Sequence, residues 1–531
     1  MKIDNHHHYP SRRSPVLASN MVAASQPLAA QAGLKMLSSG GNAVDAALAT
    51  AVMLTLVEPT GCGLGSDAFA IVWDGNDLHG LNSSGRAPAA WSRERFNHLE
   101  EMPFRGWESV TVPGVVAAWS GLSQKFGKLS FEKLFEPAIH YANQGFPVSP
   151  IISQLWSRGA AELNKQPGFA ENFMPGGASP MAGQIFSNPN MAKTLQLIAE
   201  TKGKAFYEGE LAERIEENAI KHGASLCVAD LAGHSADWCG TISRQFDDWT
   251  LHEIPPNGQG IATLQALGIL DHTPVRDLCA DDPLAMHFQI EAMKLALRDT
   301  ETYVADIDHM DEVTVSDLLD DNYLRERAKL INPLKAMDFD SGAPSKGGTV
   351  YLSTADKNGM MVSYIQSNYA GFGSGVCIPG TGISLQNRGA GFSLDPSSQN
   401  VVGPSKRPFH TIIPAFLMKN EAPLMSFGVM GGPMQAQGHL QMTLRTQLWQ
   451  QDPQMAIDAP RWRATQGLGV ACEETIDVNI IEELKNLGHD LQMEAPDNAF
   501  GFGGAQLIVR LDNGVYVGGS ESRKDGLIAG F

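Results

Sequence analysis

An α/β body with two sheets sandwiched between helices is the fold class this sequence predicts, and three observations predict it. The chain of 531 residues is too long for one ordinary core, so it forms two domains or one large layered body. A stretch near the start, "AVDAALATAVMLTLVEPTG", is apolar on nearly every side and needs cover on all faces, as a multilayer fold provides. From Thr349 onward, strand-like runs and glycine-rich loops replace the helical character of residues 100–340.

Taken in order, residues 1–14 read as a flexible tail, and His6, His7 and His8 within it have no second cluster with which to bind a metal. "SPVLASNMVAAS" is strand-like. Ser25 is expected to cap a helix with Pro27 in its first turn, running to Ser38 and stopped by Gly40 and Gly41. Asn42 caps the next helix, with Asp45 in the reciprocal position of a capping box. "GCGLGSDAFAIVWDG" is a glycine loop leading into a strand, and helices then run on with Pro and Gly punctuation at "GFPVSP" and "EIPPNGQG". At "SKGGTVYLSTADKNGMMVSYIQS" the pattern becomes a hairpin: β-branched and aromatic residues, a polar turn at Asp356 to Gly359, then a second strand. "HTIIPAFLMK", "PLMSFGVMGG" and "GAQLIVRLDNGVYVGGS" supply further strands.

Bulk properties narrow the function. A net charge of −19 repels a phosphate backbone, so no nucleic-acid partner is expected. The longest apolar run is bounded by Asp45 and Glu58 and is too short to span a bilayer, so no membrane partner is expected either. Six scattered cysteines, with no C-x-x-C pair, read as reduced thiols of a cytoplasmic protein. "GCGLGSD" and "AGFGSG" lack the G-x-G-x-x-G frame and a Walker lysine, and neither a G-x-S-x-G elbow nor an H-E-x-x-H pair occurs.

What remains is the Gly348–Thr349 junction. A loop needing positive φ explains a Gly-Gly-Thr by itself. The alternative is chemical. A threonine hydroxyl becomes a competent nucleophile when its residue is a new N-terminus, because the α-amine, with a pKa of about 8, then serves as the adjacent base. Self-cleavage must come first, with Thr349 Oγ attacking an unshielded Gly348 carbonyl. An acyl intermediate needs an oxyanion hole, and the adjacent amides of Gly431 and Gly432 in "GVMGGPMQAQGH" are candidates.

With "MVAASQPLAAQAGLKMLSSGGNAVDAALAT", "VPGVVAAW", "PPNGQG", "EAMKLALRDTETYVAD", "TVYLSTADKNGMMVSYIQSNYAGFGSG", "PSKRPFHTIIPAF", "GVMGGP", "APRW" and "RKDG" in this order, the chain resembles the γ-glutamyltranspeptidase family of N-terminal-nucleophile hydrolases from end to end. The resemblance implies a four-layer αββα sandwich, made as a precursor that cuts itself at Gly348–Thr349. Residues 1–348 then form a large subunit and 349–531 a small one, paired as a heterodimer, with a dimer of heterodimers as an open further step. It assigns Thr349 as nucleophile, Ser367 as the hydroxyl that orients it, Gly431 and Gly432 as the oxyanion pair, and Asn387 to the substrate-facing loop.

Departures from the family pattern bear on the substrate. Gly391 stands where the transpeptidases hold the α-ammonium with an aspartate, Arg388 replaces a glutamine, and His410–Thr411 replace a serine pair. The family's carboxylate-binding arginine aligns near Ser84, with Arg86 two residues on. Arg86, Asn387, Arg388, His410 and Thr411 are therefore the expected substrate contacts. Two acyl classes stay open: γ-glutamyl amides such as glutathione, hydrolysed or transferred, and carboxylated amides without an α-amine, of glutaryl or oxamate type. Neither needs an organic cofactor or a metal. Outside catalysis stands an uncleaved binding protein of the same fold, against which the presence of Gly348–Thr349, Ser367 and Gly431–Gly432 argues.

Overall fold

The computed structural model describes residues 13–339, 348–495 and 501–531. His6, His7 and His8, with most of the 1–14 tail, and the Ser345–Gly347 stretch lie outside the described residues.

Two seven-stranded antiparallel sheets form the middle of the molecule. One runs Leu527–Gly530, Met21–Ala24, Gly348–Ala355, Met361–Tyr369, Asp67–Trp73, Leu78–Ser83, Asp237–Trp238. The other runs Val16–Ala18, Tyr516–Ser520, Gly504–Arg510, Ala422–Met430, Ala415–Lys419, Trp249–Glu253, Ile242–Phe246. Strands from before and after residue 348 are interleaved in both, so the compositional change at Thr349 does not separate two independent sheets.

Period-two alternation assigns each face. Met21, Ala23, Phe69, Ile71, Tyr351 and Ile365 point inward and meet Phe416, Ile508 and Tyr516 of the facing sheet. Val22, Ala24, Val350, Leu352, Val362 and Tyr364 point outward under the helices Pro27–Ser38 and Ala43–Val57. On the opposite side Leu251, Ala415, Leu417, Phe427 and Leu507 lie under the helices Gly260–Leu270, Pro283–Tyr303 and Met434–Thr443. Helix, sheet, sheet, helix is the αββα order the sequence predicts. The helix Ala43–Val57 is buried at every position, and its Asn42–Asp45 capping box is formed as expected.

Two local expectations are corrected. The first helix is capped by Gln26, whose Oε1 accepts from the amides of Leu28 and Ala29, because the Ser25 hydroxyl is drawn instead to Glu58 Oε2 at 2.5 Å. In "HTIIPAFLMK" the strand begins only at Ala415. Pro414 has no amide to donate, and the Ile413 amide goes to Gln435 Oε1. The preceding residues are thereby free to approach the end of the other sheet.

The sheets approach closely at Gly428, where an added Cβ would lie 2.4 Å from the Tyr351 ring. That ring is held by a 2.7 Å hydrogen bond between its hydroxyl and Ser363 Oγ, so it has little freedom to retreat. Gly428→Ala is expected to cost about 1–3 kcal/mol by overpacking, read as a lowered melting temperature.

Candidate active site

Thr349 lies near the start of the strand Gly348–Ala355, where the Met21–Ala24 strand no longer reaches, since that pairing begins at Leu352. On its other side the register slips by one residue between the pairs Gly348–Tyr369 and Val350–Gln366, so Ser367 and Asn368 both stand opposite Thr349. Such a bulge re-aims side chains that regular pairing would send to opposite faces. Tyr369, at φ 74°, completes the distortion in the left-handed region that a bulky residue rarely occupies.

The bulge brings four groups onto one oxygen. Ser367 Oγ lies 3.1 Å from Thr349 Oγ1, 2.5 Å from the Gly348 carbonyl oxygen and 3.0 Å from Arg388 Nη2. It also accepts the Tyr369 amide at 2.7 Å. A serine has one proton to give. With that proton on the Gly348 carbonyl, the 3.1 Å contact is donated by the Thr349 hydroxyl, whose oxygen stays beside the carbonyl that Ser367 polarises. Gln435 Nε2 stands 3.5 Å from the same threonine oxygen.

Gly431 and Gly432, at φ 136° and 61°, lead from the strand Ala422–Met430 into the helix Met434–Thr443. The turn's bonds are donated by Met434 and Gln435 to the two glycine carbonyls, and among the described residues neither glycine amide goes to a backbone acceptor. Gln259 Nε2 ties the turn to the neighbouring loop, donating to Gly432 O at 2.9 Å and to Thr411 O at 2.5 Å.

Arg388 is 1% exposed. Its Nη1 donates to Thr411 Oγ1 at 2.8 Å, and its guanidinium lies 4.6 Å over the Tyr369 ring. Burial lowers its pKa to about 10, with Asp67 and Tyr369 opposing, so it stays cationic at neutral pH. Asp67 pairs in register with Ser367 at the end of the next strand. Burial pushes its carboxyl up to about 7, against the pull of Arg388 and of the Gly85 and Gly114 amides that it accepts. His410 donates from Nε2 to Asp67 Oδ2 at 3.1 Å and accepts the Ile412 amide at Nδ1. Burial, with Arg388 and Arg407 nearby, holds its pKa well below the usual histidine value, so the ring is neutral.

The structure thus brings Gly348, Thr349, Ser367, Arg388 and Thr411 into one hydrogen-bonded cluster. Other expected substrate contacts are engaged elsewhere. Asn387 spends its amide on Ala370 N and Phe104 O. His410 is taken by Asp67. Arg86 pairs with Asp306 at 3.2 Å and with the Ser405 carbonyl, and none of its contacts is to the Thr349 cluster. Asp67, Tyr369, Gln259 and Gln435 were not singled out from sequence. A signal for Asp67 existed, as the one charged residue heading the apolar strand "DAFAIVW".

Among the described residues, one trio has metal-ligand chemistry: His287, Glu291 and His489, all buried. Lys294 Nζ already neutralises Glu291 at 2.9 Å and His287 Nδ1 meets His489 Nε2 at 2.8 Å, while His489 Nδ1 is buried without a hydrogen-bond partner among the described residues. No described helix is long and apolar enough to cross a membrane.

The family profile described as Gamma-glutamyltranspeptidase matches residues 29–531. The chain is 34% identical to the glutathione hydrolase-like YwrD proenzyme of Bacillus subtilis over 527 residues, covering 98% of this chain and 100% of that one. It is also 34% identical to the oxamate amidohydrolase proenzyme of Klebsiella pneumoniae over 530 residues, covering 98% and 99%. The crystal structure of cephalosporin acylase from Bacillus halodurans superposes with a TM-score of 0.95 at 45% identity, covering 100% of this chain and 99% of that one.

Proposed function

The chain belongs to the gamma-glutamyltranspeptidase family and is a hydrolase, and from that premise we propose that it is a self-processing amidohydrolase with Thr349 as nucleophile. One observation carries this reading: a single serine hydroxyl bridges the Thr349 hydroxyl and the Gly348 carbonyl.

In the first reaction Thr349 Oγ adds to the Gly348 carbonyl carbon. The bond from that carbon to the Thr349 nitrogen breaks, the nitrogen takes the hydroxyl proton, and an ester remains. Water cleaves the ester, leaving a carboxylate on Gly348 and a free α-amine on Thr349. In the second reaction that amine accepts the proton of Oγ as it attacks a substrate amide, then gives it to the departing amine. The Gly431 and Gly432 amides hold the oxyanion, and water releases the acyl group. The two fragments stay together as a heterodimer, because each sheet contains hydrogen-bonded strands of both.

For the acyl group, the position of Gly391 favours a carboxylated amide without an α-amine. An aspartate there would hold an α-ammonium, but an added Cβ would lie 2.7 Å from the Phe409 carbonyl oxygen, so this loop path admits no side chain. Glutaryl-p-nitroanilide and γ-glutamyl-p-nitroanilide differ only in that amine. A kcat/KM for the glutaryl amide about tenfold or more above that for the γ-glutamyl amide is expected, the value of one lost ion pair. The reverse order would return the assignment to γ-glutamyl hydrolysis or transfer.

A further inference from the structure

Among the described residues, Arg388 stands out as a cation with no carboxylate to neutralise it at contact distance, and its Nε has no hydrogen-bond partner. Asp67, the nearest opposing charge in effect, is itself spent on His410 and two backbone amides. Both terminal nitrogens of Arg388 face hydroxyls, and one of those hydroxyls belongs to Ser367, which touches Thr349 and the Gly348 carbonyl. A buried guanidinium is costly to leave unpaired, so its retention beside these oxygens points to a use.

We propose that Arg388 is a positioning residue: it orients Ser367 toward the Gly348 carbonyl for self-cleavage, and its unpaired charge then keeps the Thr349 amine free and turns away acyl groups bearing an α-ammonium. The reading rests on Thr349 as nucleophile. Its first limb follows from acidity. A hydroxyl that accepts from a cation is a better donor, so Ser367 polarises the carbonyl more strongly with Arg388 behind it. The second limb is Coulombic. In a water-poor site a fixed cation disfavours a second one nearby, whether on the Thr349 amine or on the substrate.

Arg388→Gln removes the charge and keeps a donor; Arg388→Lys keeps the charge and loses the fork. Processing would be followed by intact mass, folding by thermal unfolding, and the processed enzymes by kcat/KM on the two p-nitroanilides over about pH 5 to 9. Arg388→Gln is expected to slow processing, to cut the glutaryl to γ-glutamyl ratio about tenfold, and to move the acidic limb of the profile up by about one unit, as the amine regains its proton affinity. Arg388→Lys is expected to slow processing while keeping the ratio and the limb near wild type. Should the Gln variant fail to fold or process, the Lys variant decides: a charged, folded, processed enzyme whose ratio falls and whose limb rises as far as predicted for Gln overturns the role of the charge. A processed Arg388→Gln with unchanged ratio and limb overturns the proposal alone. A wild-type chain that never processes removes both this inference and Thr349 as nucleophile.

Discussion

A Thr349→Ala chain is expected to remain at full length and to lose turnover by about a thousandfold or more, because one substitution removes the attacking oxygen of both reactions. The side chain is fully buried and its hydroxyl contacts Ser367 Oγ and Gln435 Nε2, so the stability cost of losing one buried hydrogen bond is only about 1 kcal/mol. Thr349→Ala should therefore fold, and thermal unfolding beside intact mass would show a stable, uncut precursor. Thr349→Ser keeps the oxygen and should process. Its processing rate is expected to fall, since the β-methyl that fixes χ1 is gone. An Ala variant that still splits at residue 348 would move the nucleophile elsewhere.

The second large effect lies away from the chemistry. Arg461, fully buried, donates Nη2 to Glu521 Oε2 at 2.7 Å and to the Ile457 carbonyl, and Nη1 to the Phe502 carbonyl. Arg523 bridges Glu473 and Glu521, and the Arg461 amide returns to Glu473 Oε2 at 2.8 Å. Two cations and two anions thus close a ring that pins the 457–462 turn to the C-terminal strands. Burial pushes the Glu521 carboxyl up, but the charges of Arg461 and Arg523 with the Arg523 and Ala505 amides reverse this and hold it at about 2.

Arg461→Ala leaves Glu521 short of one partner in the interior, a loss expected to cost about 3–5 kcal/mol in denaturant unfolding near neutral pH. Glu521 has a folded pKa below its unfolded value of about 4.3, so its contribution is present above that value. It is lost as pH falls through about 2. The difference between wild type and Arg461→Ala should therefore shrink as pH falls from about 5 to about 2, by the share of the Glu521 shift that Arg461 supplies beside Arg523 and the two amides. A difference independent of pH would mean that Arg461 acts through its carbonyl contacts alone.

These two sites show how far the sequence could be read. The hairpin around Thr349 was legible because its period-two pattern and turn are local, and the Gly348–Thr349 and Gly431–Gly432 steps stand out in the sequence because the chemistry proposed for them needs adjacent residues. The ring of Arg461, Glu473, Glu521 and Arg523 was visible only as the similar stretches "APRW" and "RKDG", since its charges meet across up to 60 positions. Arg388 was read as a substrate contact. Its meeting with Ser367 depends on the bulge opposite Thr349 and on the short helical turn Arg388–Gly391, neither of which leaves a periodic trace. Ser25 misled for a local reason overruled by tertiary structure, a good capping residue whose hydroxyl was claimed by Glu58. His410 and Thr411 looked like strand because the apolar residues after them are β-branched, while their hydrogen bonds lie with Asn257, Gln259 and Arg388.

The central claim, that Thr349 becomes an N-terminal nucleophile, is tested most directly by mass spectrometry of freshly purified wild-type protein, denatured before and after brief exposure to glutaryl-p-nitroanilide. The account predicts two fragments, 1–348 and 349–531, with the glutaryl adduct on Thr349 of the smaller one after exposure. A single unbroken chain that releases p-nitroaniline, or an adduct on any other residue, would contradict it.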